Sequence, residues 1–391
     1  MTPHNISTEP DKPLTAMPAD GLGNLSADLF CQVVDNLGDV GVMWRLARQL
    51  RQEKNWHIRL WVDNLESLQQ IEPNIDPSLQ TQIHLDIEVR QWPSRWEPVT
   101  PHRIVIAGFS CELPDDYLQQ LAATENPVWL QLEYLSAEDW VSSFHGLHSK
   151  RNDALKPVFF FPGFNESTGG LIREHHLLKD RDRWLETEHR HQWLASLNIN
   201  PPDDARLVSV FTYPQAPLHL FIEQLQQTGQ RFHLLVPSKQ PQSVLPNYPP
   251  NERVTWQAID FLPQPDYDKL LWSCDLNLVR GEDSFVRAIW AGKPMLWQIY
   301  PQKDRAHHAK LDAWLELTKL PTAIGNAMHE WADGQLATDL TGSLVAGANR
   351  GGWHAWQKSS QSFCQALGKQ TDLATRLDGW VRTEIATSNG L

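Results

Sequence analysis

Two short stretches of this chain concentrate residues that can move protons and hold charge. The first, DNLGDVG (residues 35–41), sets two carboxylates, Asp35 and Asp39, beside Gly38 and Gly41. The glycines permit a tight turn and the close approach of a ligand. Two acids on one loop can bind a cation, or share a task in which one is the base and the other orients the reacting group. A structural use is equally open, with Asp39 capping the next helix and Asp35 bracing the turn. The loop has no GxGxxG fingerprint and no P-loop lysine follows it, so it does not read as a dinucleotide or ATP site.

The second stretch is VRGEDSFVRA (residues 279–288). Gly281 separates a strand pattern from a helix pattern. This puts Asp283 or Ser284 at the helix start, where free N–H groups and the helix dipole favour a phosphate. Ser284 adds a hydroxyl donor and Arg280 a positive charge. Glu282 would repel a phosphate, so its carboxylate is expected to face sugar hydroxyls or a reacting centre. Helix capping alone accounts for Asp283 and Ser284 but not for the Arg-Gly-Glu run before them. Nearby, DFLPQ offers Phe261 for stacking and Gln264 for the edge of a pyrimidine. Tyr213, at the end of VSVFTY, has a hydroxyl that can reach a diphosphate. The acidic triplet 266–268 opens a short helix, and capping explains it better than a metal.

These residues need elements to position them. Residues 27–34 (ADLFCQVV) read as a strand, and 42–50 as a helix with Val42, Met43, Leu46, Ala47 and Leu50 at helical spacing. Strands follow at 57–63, 103–109 and 128–135, with a helix over 114–123 that starts on a proline. This rhythm implies parallel pairing through crossover helices. Residues 142–173 are rich in Gly, Pro and Phe and read as loops, 174–197 as a charged helix, and 198–204 (NINPPDD) as a linker. A second series then begins, with strands at 206–213, 232–237, 254–261, 275–280 and 293–300. Helices are expected at 218–228, 267–274, 306–317 and within 355–385. The expected organisation is a disordered tail (1–26), an α/β unit (27–197) and a second α/β unit (198–391) facing the first across a cleft. Ligands of such sheets sit at the carboxyl ends of the strands, where both chemical loops lie.

Composition narrows the classes. The formal net charge of −13 argues against a nucleic-acid binder, which would show a basic face. Four cysteines lie far apart with no CxxC pair, so neither a zinc site nor a redox pair is indicated, and a reducing compartment fits. The first 26 residues are polar and carry four prolines, unlike a signal peptide, and no stretch is apolar enough to span a membrane. A cytoplasmic location is expected. The 18 tryptophans are expected mostly to pack.

The segments FCQVVDNLGDVGVMWRLARQL, WLQLEYLSAEDWV, FFFPGFNESTGGL, FLPQPDYDKLLWSCDLNLVRGEDSFVRAIWAGKP and WQIYPQ together resemble the EarP family, the arginine rhamnosyltransferases that mature elongation factor P. They sample most of the chain from Phe30 to Gln302. The resemblance implies a GT-B architecture of two Rossmann-like domains facing an interdomain cleft. It also implies an inverting, metal-independent transfer of rhamnose from dTDP-β-L-rhamnose to an arginine of elongation factor P, with no cofactor and no nucleic-acid or membrane partner. The family's catalytic carboxylates fall on Asp35, Asp39 and Glu282. Its nucleotide-sugar contacts fall on Tyr213, Phe261, Gln264, Asp283 and Ser284, and Asn36, Gly38 and Arg280 are added to them. Where the family carries an acidic residue just before an Ala-His pair, this chain has Arg305. The roles expected are Asp39 as base, Asp35 fixing the guanidinium (or the reverse), and Glu282 near the anomeric carbon. A transferase with another donor or acceptor, or a noncatalytic partner of a translation factor, are the competing readings.

Overall fold

The computed structural model describes residues 24–34, 37–93, 96, 98–149, 155–186, 188–238, 251–345 and 351–388. All but the last three residues of the expected tail, and the loop residues Asp35 and Asn36, lie outside this set.

The first half runs β1 (Ser26–Cys31), α1 (Gly38–Lys54), β2 (His57–Val62), α2 (Leu65–Ile71), β3 (Thr81–His84), β4 (Ile87–Gln91), β5 (Ile104–Gly108), α3 (Asp115–Ala122), β6 (Val128–Leu132), α4 (Trp140–Phe144) and β7 (Val158–Phe160). Two helices, α5 (Leu177–Glu186) and α6 (His189–Ser196), lead to the second half. That half runs β8 (Ala205–Val210), α7 (Leu218–Gln227), β9 (Arg231–Pro237), β10 (Val254–Ile259), α8 (Gln264–Ser273), β11 (Leu276–Arg280), α9 (Asp283–Ala291) and β12 (Met295–Gln298). The helices α10 (Ala306–Thr318), α11 (Thr322–Ala332), α12 (Thr341–Leu344), α13 (Gly352–Gly368) and α14 (Leu373–Ser388) complete it.

The strands form two sheets, ordered β3-β4-β2-β1-β5-β6-β7 and β10-β9-β8-β11-β12. Every pairing is parallel except the edge pair β3–β4. Strand order reverses at β1/β5 in one sheet and at β8/β11 in the other. Loops leaving neighbouring strands in opposite directions open a crevice there. The loop after β1 leads to Asp39, and the loop after β11 carries Glu282, so topology alone puts both on the crevice side.

Strand interiors are largely apolar because helices cover both faces. Among the buried polar exceptions is Asp28 in β1, which is fully buried. It accepts hydrogen bonds from the Arg59 guanidinium, the Trp61 indole, the Tyr117 hydroxyl and the His102 backbone, so the charge is matched. Six tryptophans (Trp44, Trp56, Trp290, Trp314, Trp331 and Trp356) are among the largest fully buried side chains, as the packing expectation required. No described helix is long and apolar enough to cross a membrane.

The structure departs from several expectations. Residues 142–173 are not all loop, since Val158–Phe160 forms β7 against β6. The surrounding Gly and Pro obscure a strand only three residues long. The charged stretch 174–197 breaks into α5 and α6. Residues 64–91, outside every element expected from the sequence, supply α2 and the sheet edge. The helical tail is two helices, and the second returns to the first half. The Trp56 indole donates to Asp378 at 2.7 Å and Arg376 donates to the Thr168 carbonyl at 2.7 Å.

Helix α1 is buried on almost every side because α9 of the other half, the returning α14 and α2 pack on it in addition to its own sheet. Arg45 of α1 donates to both oxygens of Asp268 in α8 at 3.1 Å and to Asp283 at 2.8 Å. Arg287 of α9 grips the same Asp268 from the other side at 2.7 and 2.8 Å and reaches Glu174 at 2.8 Å. Asp268 therefore joins two buried guanidinium groups and does not cap α8, whose start carries no side-chain cap. Burial alone would raise the Glu174 carboxyl, but Arg287 and Arg45 hold it at about 2.

Removing one partner of a buried ion pair leaves an unmatched charge. Asp268→Ala should lower stability by about 3–5 kcal/mol, read as a fall in the denaturant midpoint. A loss under about 1 kcal/mol would show that water reaches the two guanidiniums and that they do not need this carboxylate.

Candidate active site

Asp39 sits in the first turn of α1 and is 2% exposed. Its Oδ2 accepts the Val34 N–H at 2.8 Å, so the carboxylate folds back over the loop leaving β1 and does not cap its own helix. Glu282 comes from the other half. It occupies the residue before α9 without capping it, and its Oε2 accepts the Leu135 N–H, beyond β6, at 3.0 Å. Asp39 and Glu282 line one chamber between the halves, with Gly38, Leu135, Tyr300 and Lys310 among its other walls.

Glu282 keeps part of its surface open to the chamber, yet protein walls enough of it to shift its ionisation. Desolvation raises its carboxyl to about 8. The Lys310 ammonium and the Leu135 N–H oppose that rise, and the charges of Asp39 and Asp283 add to it.

A second chamber lies on the other side of Gly38, which lines both. Its walls include Phe261, Gln264, Arg280, Asp283 and Ser284. The structure thus gathers most of the residues singled out from the sequence around two adjoining spaces. Tyr213 lines neither; it stands one layer back, edge-on to Tyr300 with a centroid separation of 5.7 Å and beneath the Arg280 guanidinium at 4.8 Å. Asp35 and Asn36 lie outside the described residues.

Several polar groups of the second chamber are already engaged. The Gln264 amide donates to the Gly41 carbonyl at 2.9 Å and accepts from Arg48 at 2.8 Å. Asp283 holds Arg45 at 2.8 Å; burial raises its carboxyl, and Arg45 and Arg287 offset part of that. The Ser284 hydroxyl accepts the Arg280 N–H at 3.0 Å and donates to the Arg280 carbonyl, bracing the end of β11. The first-turn N–H groups of α9 have no partner within their own helix. Phe261 meets Phe211 edge-on at 6.3 Å, and Arg280 lies over Phe211 at 4.4 Å. An aromatic wall, a guanidinium and a helix start suit a base joined to a phosphate.

Among the described residues, His307, His308 and Asp333 form a group whose ligand-type atoms all lie within 4.8 Å of one another. Its Asp333 already pairs with Arg305 at 2.8 Å and His308 at 2.9 Å.

Sequence reasoning missed three contributors. Lys310 stands in QKDRAHHAKL, where only the Arg305 departure drew notice. Leu135 contributes a backbone N–H, which no residue type announces. Arg45 sits among apolar helix positions, and its buried charge becomes meaningful only beside Asp268 and Asp283.

Comparison with known proteins gives consistent matches. The sequence profile of the family described as "Elongation-Factor P (EF-P) rhamnosyltransferase EarP" matches residues 27–382. The chain is 41% identical over 374 residues to the protein-arginine rhamnosyltransferase of Pseudomonas putida, covering 92% of this chain and 99% of that one. It is 40% identical to the enzyme of the same name from Pseudomonas aeruginosa, covering 90% and 97%. A solved structure, described as the "Structural basis for EarP-mediated arginine glycosylation of translation elongation factor EF-P", superposes with a TM-score of 0.60 at 29% identity, over 92% of this chain and 99% of that one. The UDP complex of Arabidopsis thaliana UGT89C1 shares the fold alone, with a TM-score of 0.51 at 10% identity over 92% and 99%. The architecture is GT-B.

The raised carboxyl of Glu282 has a consequence for stability. A group whose folded pKa lies above its unfolded value favours the fold while protonated, and that advantage is lost as pH rises through the folded pKa. The window here runs from the usual glutamate value of 4.5 to about 8. Glu282→Gln keeps an acceptor for the Leu135 N–H and cannot ionise. Its melting temperature should match the parent near pH 4.5 and exceed it increasingly up to about pH 8. A constant offset across that window would show that Glu282 is ordinary.

Proposed function

The chain belongs to the EarP family of protein-arginine rhamnosyltransferases, and from that premise we propose that it moves L-rhamnose from dTDP-β-L-rhamnose to one arginine of elongation factor P with inversion at the anomeric carbon. The observation that carries this reading is the meeting of Asp39 and Glu282, from opposite halves, in a chamber that adjoins a second one suited to a nucleotide.

The acceptor dictates the chemistry. A guanidinium is protonated at any ordinary pH and is a poor nucleophile until it loses a proton. A carboxylate cannot remove that proton in advance, so proton loss accompanies attack. Asp39 takes the proton from the attacking nitrogen, and Asp35 holds the rest of the guanidinium. The C–N bond forms on the sugar face opposite the C–O bond to phosphate. That C–O bond breaks, and dTDP leaves with the electron pair. The first-turn N–H groups of α9 and the Arg280 guanidinium stabilise the departing diphosphate. Ionised Glu282 faces the positive charge developing at the anomeric carbon. Phe261 stacks on the thymine, and Gln264 and Asp283 exchange their present partners for the donor. These roles require no metal.

Mass spectrometry of elongation factor P after incubation with the enzyme and dTDP-rhamnose should show one deoxyhexose on one arginine, with EDTA present. Unmodified factor would refute the acceptor, and modification with other nucleotide sugars alone would refute the donor. Asp39→Asn should abolish transfer while retaining dTDP affinity; undiminished turnover would remove Asp39 from the role of base. Phe261→Ala should weaken dTDP binding by roughly 1–3 kcal/mol, the worth of one aromatic stack on a base. Unchanged affinity by calorimetry would rule out stacking there.

A further inference from the structure

The chamber that holds Asp39 and Glu282 has, among its described lining residues, only one lysine or arginine, Lys310. Its placement depends on an unusual approach to α10. Asp304 and Arg305, neither a glycine, take successive left-handed conformations with φ of 64° and 56°. The Gln302 N–H then donates to Nδ1 of His307 at 3.1 Å, closing the turn. His307, Lys310 and Trp314 follow at helical spacing, and all three line the chamber. The Lys310 ammonium lies 5.7 Å from the centre of the Tyr134 ring, which belongs to the first half. Lys310 therefore spans the crevice from the second half towards the first.

The charges around Glu282 come from several elements. Asp39 approaches from α1, the Leu135 N–H from the loop after β6, Asp283 from its own helix and Lys310 from α10. Glu133, next to Tyr134, also feels the ammonium. His307 lines the same wall, while Arg305, His308 and Asp333 compensate one another. Two carboxylates facing one enclosed space repel each other, and a single cation offsets them until a cationic acceptor arrives.

Building on the transferase reading, we propose that Lys310 is the resident counter-ion of this chamber, a positioning residue that keeps Glu282 able to ionise before the acceptor guanidinium binds. It acts through Glu282 and holds neither the nucleotide nor the acceptor. The conservative replacement Lys310→Arg retains the cation, and Lys310→Met removes it.

The test follows kcat/KM for rhamnosylation of elongation factor P by the full chain and both variants from pH 6.5 to 9.5. Lys310→Met should be about 10-fold slower than the parent at pH 7, the effect of moving one ionisation by about one pH unit. It should approach the parent rate at the alkaline end. Lys310→Arg should track the parent throughout, and dTDP affinity by calorimetry should be the same in all three. A loss in Lys310→Met of equal size at every pH would overturn the proposal, as would unchanged activity or a fall in dTDP affinity. Melting curves supply an arm that needs no transfer. In the Lys310→Met background, the gain from Glu282→Gln should start at the same pH but keep growing to a higher pH than in the parent, and a gain that levels off at the parent's pH would overturn the proposal. Absence of transfer by the parent itself would instead strike the transferase reading, leaving the melting arm to decide the role of Lys310.

Discussion

Arg45 and Arg287, each 1% exposed, are buried between the two halves of the chain and are neutralised by one shared carboxylate, Asp268, with Asp283 and Glu174 completing the set. Burying guanidinium groups is tolerable only when their donors are met by well-placed acceptors. Here the acceptors come from α8, α9 and the segment after β7, while Arg45 comes from α1. The halves are thereby held in one register. Gly41 belongs to the same constraint, because a Cβ there would lie 3.1 Å from Asp283 Oδ2, inside the usual contact distance. The close passage of α1 against α9 brings the acid at the start of one helix beside the acid before the start of the other.

That arrangement concentrates negative charge, and the protein manages it unevenly. Glu174 is held ionised by two guanidiniums, whereas Glu282 is pushed towards protonation by desolvation and by its acidic neighbours. A chamber that gathers Asp39 and Glu282 can take in a further cation, which suits the arginine of the proposed acceptor. The second chamber uses a related economy. Gln264, Asp283 and Ser284 are occupied with Gly41, Arg45 and Arg280. A donor that took these groups would therefore also bear on the contacts between the halves.

Much of the fold was legible because parallel sheets write themselves plainly. The runs around Leu29, Ile106, Leu130, Val208 and Leu278 are mostly apolar, since helices cover both faces, and helix formers separate them. The edges were less legible. β3 and β4 do alternate, as one side meets solvent, but runs of four and five residues are too short to stand out, and β7 is hidden by its Gly- and Pro-rich flanks. The acidic triplet in α8 was misread as a cap because a buried, doubly paired Asp268 looks the same in sequence as an exposed one.

The chain's own order of residues was enough to mark the two chemical loops, since glycines with acids between a strand and a helix point to a crevice. It was also enough to mark the family, since the motif segments are long and unusual in composition. Ionisation and partnership were decided only by tertiary structure. The state of Glu282 depends on Asp39, Leu135 and Lys310, which stand far from it along the chain. The role of Arg45 depends on acids more than two hundred positions away. Electrostatic environment is a property of neighbours in space, and only folding chooses them.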